Sequence, residues 1–277
     1  MRQTTSPVHL FDAADPRRRA RALEDLAGGL ARWRLAWALA RSDITHRYRG
    51  SVLGPFWLTL STAVMLGALG FLYAKLFRMD VVDYLPWLTV SLIVWNVLST
   101  VVSDATTSLT GAEGVIRQMP LPYTVHALRV VMRNLVIAAH NIPLIGVVFL
   151  IFGVPLTWTA LLAIPGFALM GIGAFAASIF FGMVCARFRD IPPIVGSVMQ
   201  IAFFVSAIIW KPEMVGHWEP LLPLNPFFAV VEAVRAPIMG STGGPMVWVA
   251  AIAWTGLMVA IAWIFFVRFR GRIAFWV

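Results

Sequence analysis

Long apolar runs dominate the chain and limit the folds that it can adopt. A helix needs about 20 apolar residues to cross about 30 Å of hydrocarbon, and its backbone amides are then paired within the helix, as a bilayer requires. The runs predict an all-α integral membrane protein with six transmembrane helices. The predicted spans are residues 54–77, 84–102, 125–152, 158–186, 194–210 and 246–267.

The composition agrees with surroundings that are mostly lipid. Hydrophobic residues make up 60% of the 277 residues and charged residues 13%, whereas soluble domains carry about 25% charged residues. This shortage argues against a disordered chain, a fibre and nearly any water-soluble enzyme. The single Cys185 excludes a disulfide framework and a cysteine zinc cluster.

The basic residues predict the orientation of the spans. Ten of the 22 lysines and arginines precede residue 50, and with six spans the two sides carry 18 and four of them. Because cytoplasmic loops collect Lys and Arg, both termini are expected in the cytoplasm. The net charge of +9 then reflects membrane topology, and no nucleic acid partner is expected.

The polar N-terminal region is expected to form a cytoplasmic tail over residues 1–29 and an amphipathic segment over residues 30–53, ahead of a transmembrane domain over residues 54–277. Trp33 and Trp37 recur at helical spacing between arginines. Such a pattern is typical of an interfacial helix in the headgroup plane; an ordinary solvated helix is the alternative.

The connection between the last two spans is rich in proline yet apolar. Residues 211–245 contain six prolines together with pairs such as Phe227–Phe228. Proline disfavours a regular span, and irregular backbone at membrane depth must be buried in protein or line a cavity. The segment predicts a pair of short re-entrant helices on the outer side, or else an outer loop packed on the bundle.

Groups able to perform chemistry are scarce. The chain has no phosphate-binding loop of the GxxxxGK[ST] type and no metal-ligand spacing among its histidines. His140 and Asn141 lie inside a span, where they either bond a neighbouring helix or line a pore. We therefore expect a non-enzymatic chain without a cofactor of its own. Few ionisable groups occupy the spans, so a transport activity would draw its energy from a partner ATPase that holds ATP and Mg²⁺.

The cytoplasmic segment from Asp104 to Pro122 is short and polar. Asp104 can cap a helix that starts at Ala105, and Pro120 would end that helix. A helix projecting over residues 105–120 can dock on another protein; a simple turn is the alternative.

A family resemblance is carried by several motifs in order. Residues 41–57 read RSDITHRYRGSVLGPFW and resemble RDLKxRYRxSxLGxxW, the start of the first span in ABC-2-type polysaccharide export permeases, with Ser-Asp-Ile in place of the frequent Asp-Leu. Further similar segments are residues 116–122, 187–191 and 224–227. The resemblance covers nearly all of the chain beyond residue 35, whereas the first 30 residues resemble nothing that we can name.

The resemblance implies a membrane subunit of an O-antigen, capsule or teichoic acid exporter in the bacterial inner membrane. Such a permease works as a homodimer with two ATP-binding subunits and moves a polyprenyl- or lipid-linked polysaccharide among membrane lipids. Residues 30–49 would frame the cytoplasmic entrance, and residues 212–240 would form the outer gate. Residues 105–120 would be the coupling helix, with Thr107, Glu113, Arg117 and Pro120 as candidate coupling residues.

The resemblance also implies a channel lined in part by aromatic side chains. The candidates are Trp57, Tyr73, Phe203, Phe204 and Trp210, each of which can instead face lipid or the core. Arg47 and Arg49 are candidates for binding the pyrophosphate of the lipid-linked cargo; interaction with anionic headgroups is the alternative.

Other functions remain open at this level. An ABC-2 exporter of a small molecule or lipid would have similar spans. A membrane glycan transferase needs acids near the membrane surface, and those from Asp80 to Asp83 and Asp104 are isolated. A passive scaffold would not need the polar segment at residues 105–120.

Overall fold

A computed structural model of the chain describes residues 17–50 and 56–277, and helices fill most of both ranges with no strand in either. The predicted all-α class is therefore confirmed. The α-helices are α1 (Arg18–Ala31), α2 (Trp33–Arg47), α3 (Phe56–Leu76), α4 (Val81–Thr106), α5 (Glu113–Gln118), α6 (Thr124–Phe152), α7 (Ala163–Arg187), α8 (Ile191–Val205), α9 (Pro226–Ile238), α10 (Gly244–Phe269) and α11 (Ile273–Trp276). The 3₁₀ segments are Thr110–Ala112, Trp158–Leu162, Pro212–Leu224 and Arg270–Arg272.

Five described helical segments are long and apolar enough to cross a membrane, or six if one bent pair counts as a span. Four of them match predicted spans to within about five residues, and the fifth starts close to the predicted residue 246 but ends nine residues after residue 267. The segments are Thr59–Leu76, Val81–Thr106, Thr124–Phe152, Trp158–Arg187 and Gly244–Trp276. The span predicted over residues 194–210 is shorter than expected. Its helix α8 has 15 residues and is about 22 Å long, against about 30 Å of hydrocarbon.

The chain leaves the helical conformation directly after α8, at buried positions. Ala207 has a φ of +51° and is fully buried. Its carbonyl oxygen accepts a hydrogen bond of 2.6 Å from the Arg235 guanidinium, and the Tyr84 hydroxyl donates to the Ile209 carbonyl. Irregular backbone survives in a low-dielectric interior only when its carbonyls are paired in this way. These side chains thus allow α8 to stop early.

Arg235 is the largest fully buried side chain among the described residues. Its Nε donates to Glu232 Oε2 at 2.8 Å, its Nη1 donates to the Ser91 hydroxyl at 2.9 Å, and its guanidinium lies 4.6 Å from the Trp87 ring centroid. A buried charge is tolerated only with such partners. Arg235 therefore joins α4 and α9 to the end of α8.

The segment after α8 folds back sharply. The 3₁₀ segment Pro212–Leu224 contains a kink at Gly216, whose φ is +54°, and it meets α9 at 106°. Asn225 caps α9, because its Oδ1 accepts from the amide of Phe227 at 2.9 Å. This bent pair has the geometry that a re-entrant segment needs.

Both described ends of the chain meet at one end of the helix bundle, which we call the basic end. Arg270 Nε donates to Asp25 Oδ2 at 2.8 Å, and Arg117 Nη2 donates to the Val277 carbonyl oxygen at 2.9 Å. Most of residues 17–29, within the predicted tail, belong to helix α1, and this helix packs on α6 and α10. Residues 1–16 of the tail and residues 51–55 of the predicted entrance motif lie outside the described residues.

Helix α2 lies over α6 within the region predicted to be interfacial. Ala36 and Ala40 are fully buried on its inner face, whereas Trp33 and Trp37 are exposed. The small side chains allow close packing, and the two indole rings are directed away from the bundle. This arrangement leaves the tryptophans available to headgroups.

The helix predicted over residues 105–120 has a different form. Helix α4 continues through Asp104 to Thr106, so Asp104 does not cap a new helix. Asp104 instead accepts a hydrogen bond of 2.8 Å from Asn134 Nδ2, which holds the last turn of α4 against α6. A turn and a 3₁₀ segment follow, and α5 has only six residues. It ends before Pro120, as expected, because the residue preceding a proline avoids the helical region.

His140 and Asn141 connect two spans. The Thr59 hydroxyl of α3 lies 3.1 Å from the His140 carbonyl oxygen and 3.1 Å from Asn141 Oδ1. Pro143 lies inside α6. Because proline lacks an amide proton, α6 loses one backbone hydrogen bond in this region. For Asn141 the interhelical hydrogen bond fits this geometry, whereas the His140 imidazole bonds within its own helix, with Nδ1 2.8 Å from the Val136 carbonyl oxygen.

We expect Arg235→Met to destabilise the fold by about 3 kcal/mol, because removing one member of a buried ion pair leaves unpaired polar groups behind. Cys185 is the only cysteine and is buried, so a thiol-reactive fluorophore reports unfolding in detergent. The Tm should fall by roughly 2–4 °C for each kcal/mol. Lys75→Met removes an exposed cation and is the control; an equal Tm in both variants would contradict this role of Arg235.

Candidate functional site

A groove between α4 and α8 combines polar and aromatic side chains at the surface of the bundle. The cavity has a volume of about 500 Å³. It is lined by Trp95, Ser99, Ser103, Gly196, Met199, Gln200, Ile201, Phe203 and Phe204. We call it the α4–α8 groove, and it is the candidate functional site.

Helical spacing explains how the α4 wall forms. Trp95, Ser99 and Ser103 recur every four residues and therefore share one face of the helix. Across the groove, Gly196 leaves room where a larger side chain would fill it, and Gln200 lies one turn further along α8. Two hydroxyls and one amide thus face a space within otherwise apolar helices.

The aromatic half of the groove is built from rings in edge and tilted contacts. The ring centroids of Trp95 and Phe203 are 5.8 Å apart, and those of Phe203 and Phe204 are 5.2 Å apart. Phe227 of α9 supports Trp95 from behind at 6.1 Å. Such packing fixes the ring orientations. The Phe204 side chain is 58% exposed, so one side of the groove is open.

The structure brings together only some of the aromatic residues that sequence analysis selected. Phe203 and Phe204 line the groove, and the Trp210 indole donates to the Phe204 carbonyl oxygen at 2.8 Å. Trp57 and Tyr73 lie on α3, away from the groove; the Tyr73 ring stacks on Phe77 with centroids 5.4 Å apart, and Trp57 is exposed.

Seven of the nine residues that line the groove were not predicted from the sequence, among them the polar or aromatic Trp95, Ser99, Ser103 and Gln200. Their signal was present in the sequence. A polar or aromatic residue every fourth position along an apolar helix marks one face of that helix, and a glutamine in a short apolar run is equally unusual.

A network of ion pairs lies where the groove reaches the basic end. Arg129 Nε donates to Asp43 Oδ2 at 2.7 Å, and Arg133 Nη1 donates to the same oxygen at 3.0 Å. Arg133 Nη2 also lies 2.7 Å from Asp104 Oδ2. The network joins α2, α4 and α6 through charge-assisted hydrogen bonds, which are stronger than neutral ones.

The two arginines selected as candidate pyrophosphate ligands lie beside this network. Arg47 Nη2 is 3.8 Å from Asp104 Oδ1, which is too long for a hydrogen bond. Arg49 is exposed. Among the described residues Arg47 has a long ion pair with Asp104, and Arg49 is accessible at the surface.

The acid at the centre of the network is strongly stabilised in its charged form. Partial burial raises the pKa of the Asp43 carboxyl, but its hydrogen bonds and charge interactions with Arg129 and Arg133 outweigh burial, so the pKa lies below its ordinary value of 3.8. Asp43 therefore remains an anion at physiological pH.

The candidate coupling residues occupy the same end of the bundle. Glu113 and Arg117 of α5 form an ion pair of 2.8 Å and are both exposed. Thr107 has a different role, because its hydroxyl lies 3.2 Å from the Asp104 carbonyl oxygen at the end of α4. Pro120 follows α5 in the extended link to α6. Helix α5 thus presents a short polar surface beyond the spans.

Comparison with known proteins gives matches over most of the chain. Residues 34–239 match the model of a family described as ABC-2 type transporter. The chain is similar to an O-antigen export system permease protein RfbA of Myxococcus xanthus, with 23% identity over 72% of this chain and 78% of the relative. It is also similar to an O-antigen export system permease protein RfbA of Klebsiella pneumoniae, with 21% identity over 80% of this chain and 86% of the relative.

The lowered pKa of Asp43 predicts how stability depends on pH. A carboxylate with a depressed folded pKa contributes stability above its unfolded pKa and loses it as the pH falls through the folded value. The contribution of Asp43 to the free energy of unfolding should therefore persist from neutral pH down to the ordinary carboxyl pKa of 3.8, and it should decline at lower pH. Asp43→Asn should lower the Tm at neutral pH and flatten the acid dependence. The exposed Asp190→Asn is the control; identical acid profiles in both variants would exclude this contribution.

Proposed function

Because the chain belongs to the ABC-2 type transporter family, we propose that it is the channel-forming subunit of an ATP-driven exporter of a lipid-linked polysaccharide, most simply an O-antigen. It is a multi-pass membrane protein and a transport subunit, and its family associates with an ATP-binding subunit. In the proposal, two copies of the chain form the channel in the bacterial inner membrane. Two ATP-binding subunits hydrolyse ATP at the basic end, which faces the cytoplasm in this proposal.

The observation that carries this proposal is the chemistry of the α4–α8 groove. Hydroxyl and amide groups can exchange hydrogen bonds with sugar hydroxyls, and aromatic faces can contact the apolar C–H faces of sugar rings. A few polar groups among apolar and aromatic walls are typical of ligand sites. These contacts do not depend on one particular sugar unit, so each unit of a polymer can make them in turn as the polymer moves along the groove.

The open side of the groove supports the proposal of a dimer. Phe204 and Ile201 are 58% and 65% exposed, so one chain does not enclose a hydrophilic cargo. A second copy related by a two-fold axis would place an equivalent groove opposite the first. Two half-channels would then surround the polymer and keep it away from lipid.

The charges of the described helices support an external source of energy. Glu232 is paired with Arg235, and Arg129 and Arg133 are paired with Asp43. Carriers driven by ions usually need exchangeable acids within their spans. Paired groups of this kind instead favour a motor outside the membrane, and the exposed polar surface of α5 is the docking site that we propose for it.

The long pair between Arg47 and Asp104 favours a role in cargo binding. A pyrophosphate could displace the carboxylate at 3.8 Å and form bidentate hydrogen bonds with the guanidinium. Arg49, two residues further on, would add a second positive charge. We propose that this pair holds the lipid-proximal pyrophosphate at the entrance to the groove.

One further observation favours a second candidate function, the export of a lipid. A second groove of about 420 Å³ is lined by α4, α7, α8, α9 and α10, and it shares Met199 with the α4–α8 groove. Its walls are almost entirely apolar, as at Leu98, Val198 and Trp254. A hydrocarbon cargo would use this groove, whereas a glycan would use the α4–α8 groove, so variants of the two grooves distinguish the functions.

The central test is export of a lipid-linked O-antigen by cells that lack their own exporter and receive this chain with its ATP-binding subunit. Phe203→Ala removes a stacking surface worth about 1 kcal/mol and should lower the export rate about fivefold. The highly exposed Trp158→Ala is the control. If both variants export normally while Val198→Trp, in the apolar groove, abolishes activity, the glycan path is wrong.

A separate experiment tests the arginines. Replacing both Arg47 and Arg49 by Gln should block export while the complex with the ATP-binding subunit still purifies intact, because these side chains contact the cargo. Replacing Arg187 and Arg189, two exposed arginines at the end of α7 and directly after it, by Gln provides a charge-matched control. Normal export by the Arg47 and Arg49 double variant would remove the anion-binding role.

A further inference from the structure

Asp25 is a buried acid on α1 that binds a helix distant in sequence. Its side chain is fully buried, and its oxygens accept hydrogen bonds from the amides of Tyr123 at 3.2 Å and Thr124 at 3.1 Å. The Thr124 hydroxyl adds a contact of 2.9 Å. These amides lie at the start of α6, so Asp25 caps α6 from another helix. The negative charge of Asp25 is also attracted to the positive N-terminal end of the α6 dipole.

The same carboxylate also binds the C-terminal end of the bundle. Arg270, directly after α10, donates its Nε to Asp25 Oδ2 at 2.8 Å, and its guanidinium lies 5.7 Å from the Tyr123 ring centroid. A buried carboxylate with this many donors is held in a single position. One side chain therefore joins α1, α6 and the end of α10.

Two glycines bring α1 against the link between α5 and α6. A Cβ added at Gly29 would lie 2.0 Å from the Thr124 hydroxyl, and one added at Gly28 would lie 3.3 Å from the Pro122 ring. No side chain larger than hydrogen fits at residue 29 without a shift of the backbone. Helix α1 thus lies directly on the link, residues 119–123.

Helix α5 has its own connection to the C terminus. Arg117 of α5 donates to the Val277 carbonyl oxygen at 2.9 Å, and Val277 is buried. The link contains Pro120 and Pro122, which restrict its backbone. A displacement of α5 therefore reaches both the start of α6 and the C-terminal segment.

We propose that α1 is a clamp and that Asp25 is its positioning residue, coupling a displacement of α5 to α6 and α10 together. The proposal rests on the proposed function, in which an ATP-binding subunit displaces α5. Without the clamp, the link would bend and α6 would move alone or not at all. The family match begins at residue 34, so the clamp lies in a part of the chain that the family model does not cover.

The test uses the full chain with its ATP-binding subunit in vesicles, and it measures export of the lipid-linked glycan per ATP hydrolysed. Asp25→Asn keeps the size of the side chain but removes the charge that binds Arg270. The ratio should fall at least about fivefold, the lower limit that is typical of coupling between distant sites. Glu24→Gln, an exposed acid one residue earlier on α1, should keep the wild-type ratio.

A purely structural role predicts a different outcome. Export and ATP hydrolysis would then fall in proportion to the amount of complex, with the ratio unchanged, and the clamp would be refuted. Arg270→Gln provides a second variant, since it leaves the cap of α6 in place and removes the guanidinium contacts of Arg270 with Asp25 and with the Tyr123 ring; it should also lower the ratio. If the wild-type complex exports no glycan with ATP, the proposed function fails instead.

Discussion

The pairing of backbone carbonyl groups in a low-dielectric interior is the constraint on which this structure depends. Long helices satisfy it internally, and they make up most of the bundle. The exception is the stretch after Val205, where the chain turns at buried positions. There Arg235 and Tyr84 supply the donors that the backbone lacks. Arg235 is buried because it performs this task, and Glu232 is present because the guanidinium needs an anion.

The opposite end of the bundle is organised by charge. Asp43 and Asp104 hold α2 and α4 against α6 through Arg129 and Arg133, whereas Asp25 holds α1 against α6 and the end of α10. In each case an acid on one helix binds donors on helices far away in sequence. The excess of positive charge at this end is thus partly neutralised inside the fold, whereas Arg49 and Arg189 are exposed at the surface.

Much of the architecture could be predicted from the sequence, because hydrophobic runs report helix length directly. Spans at residues 84–102 and 125–152 agree with α4 and α6 to within a few residues. The error at residues 105–120 has a clear physical reason: Asp104 has the sequence context of a capping residue, but its partner Asn134 lies 30 residues further on. Similarly, no local sequence feature indicates that α8 ends at Val205, since the side chains that donate hydrogen bonds to the Ala207 and Ile209 carbonyls come from other helices.

Of the α4–α8 groove, Phe203 and Phe204 were predicted, whereas the α4 face from Trp95 to Ser103 was not.

The early end of α8 affects the energy barrier against which any hydrophilic molecule must move. A permeant alongside this helix meets a nonpolar zone of about 22 Å rather than the full thickness of about 30 Å. Beyond Val205 the chain turns at buried positions and then continues as the bent proline-rich pair, in which Glu213 and Glu219 are exposed. Because charged side chains favour water, a passing chain alongside α8 would be dehydrated over a shorter distance than the bilayer itself would impose.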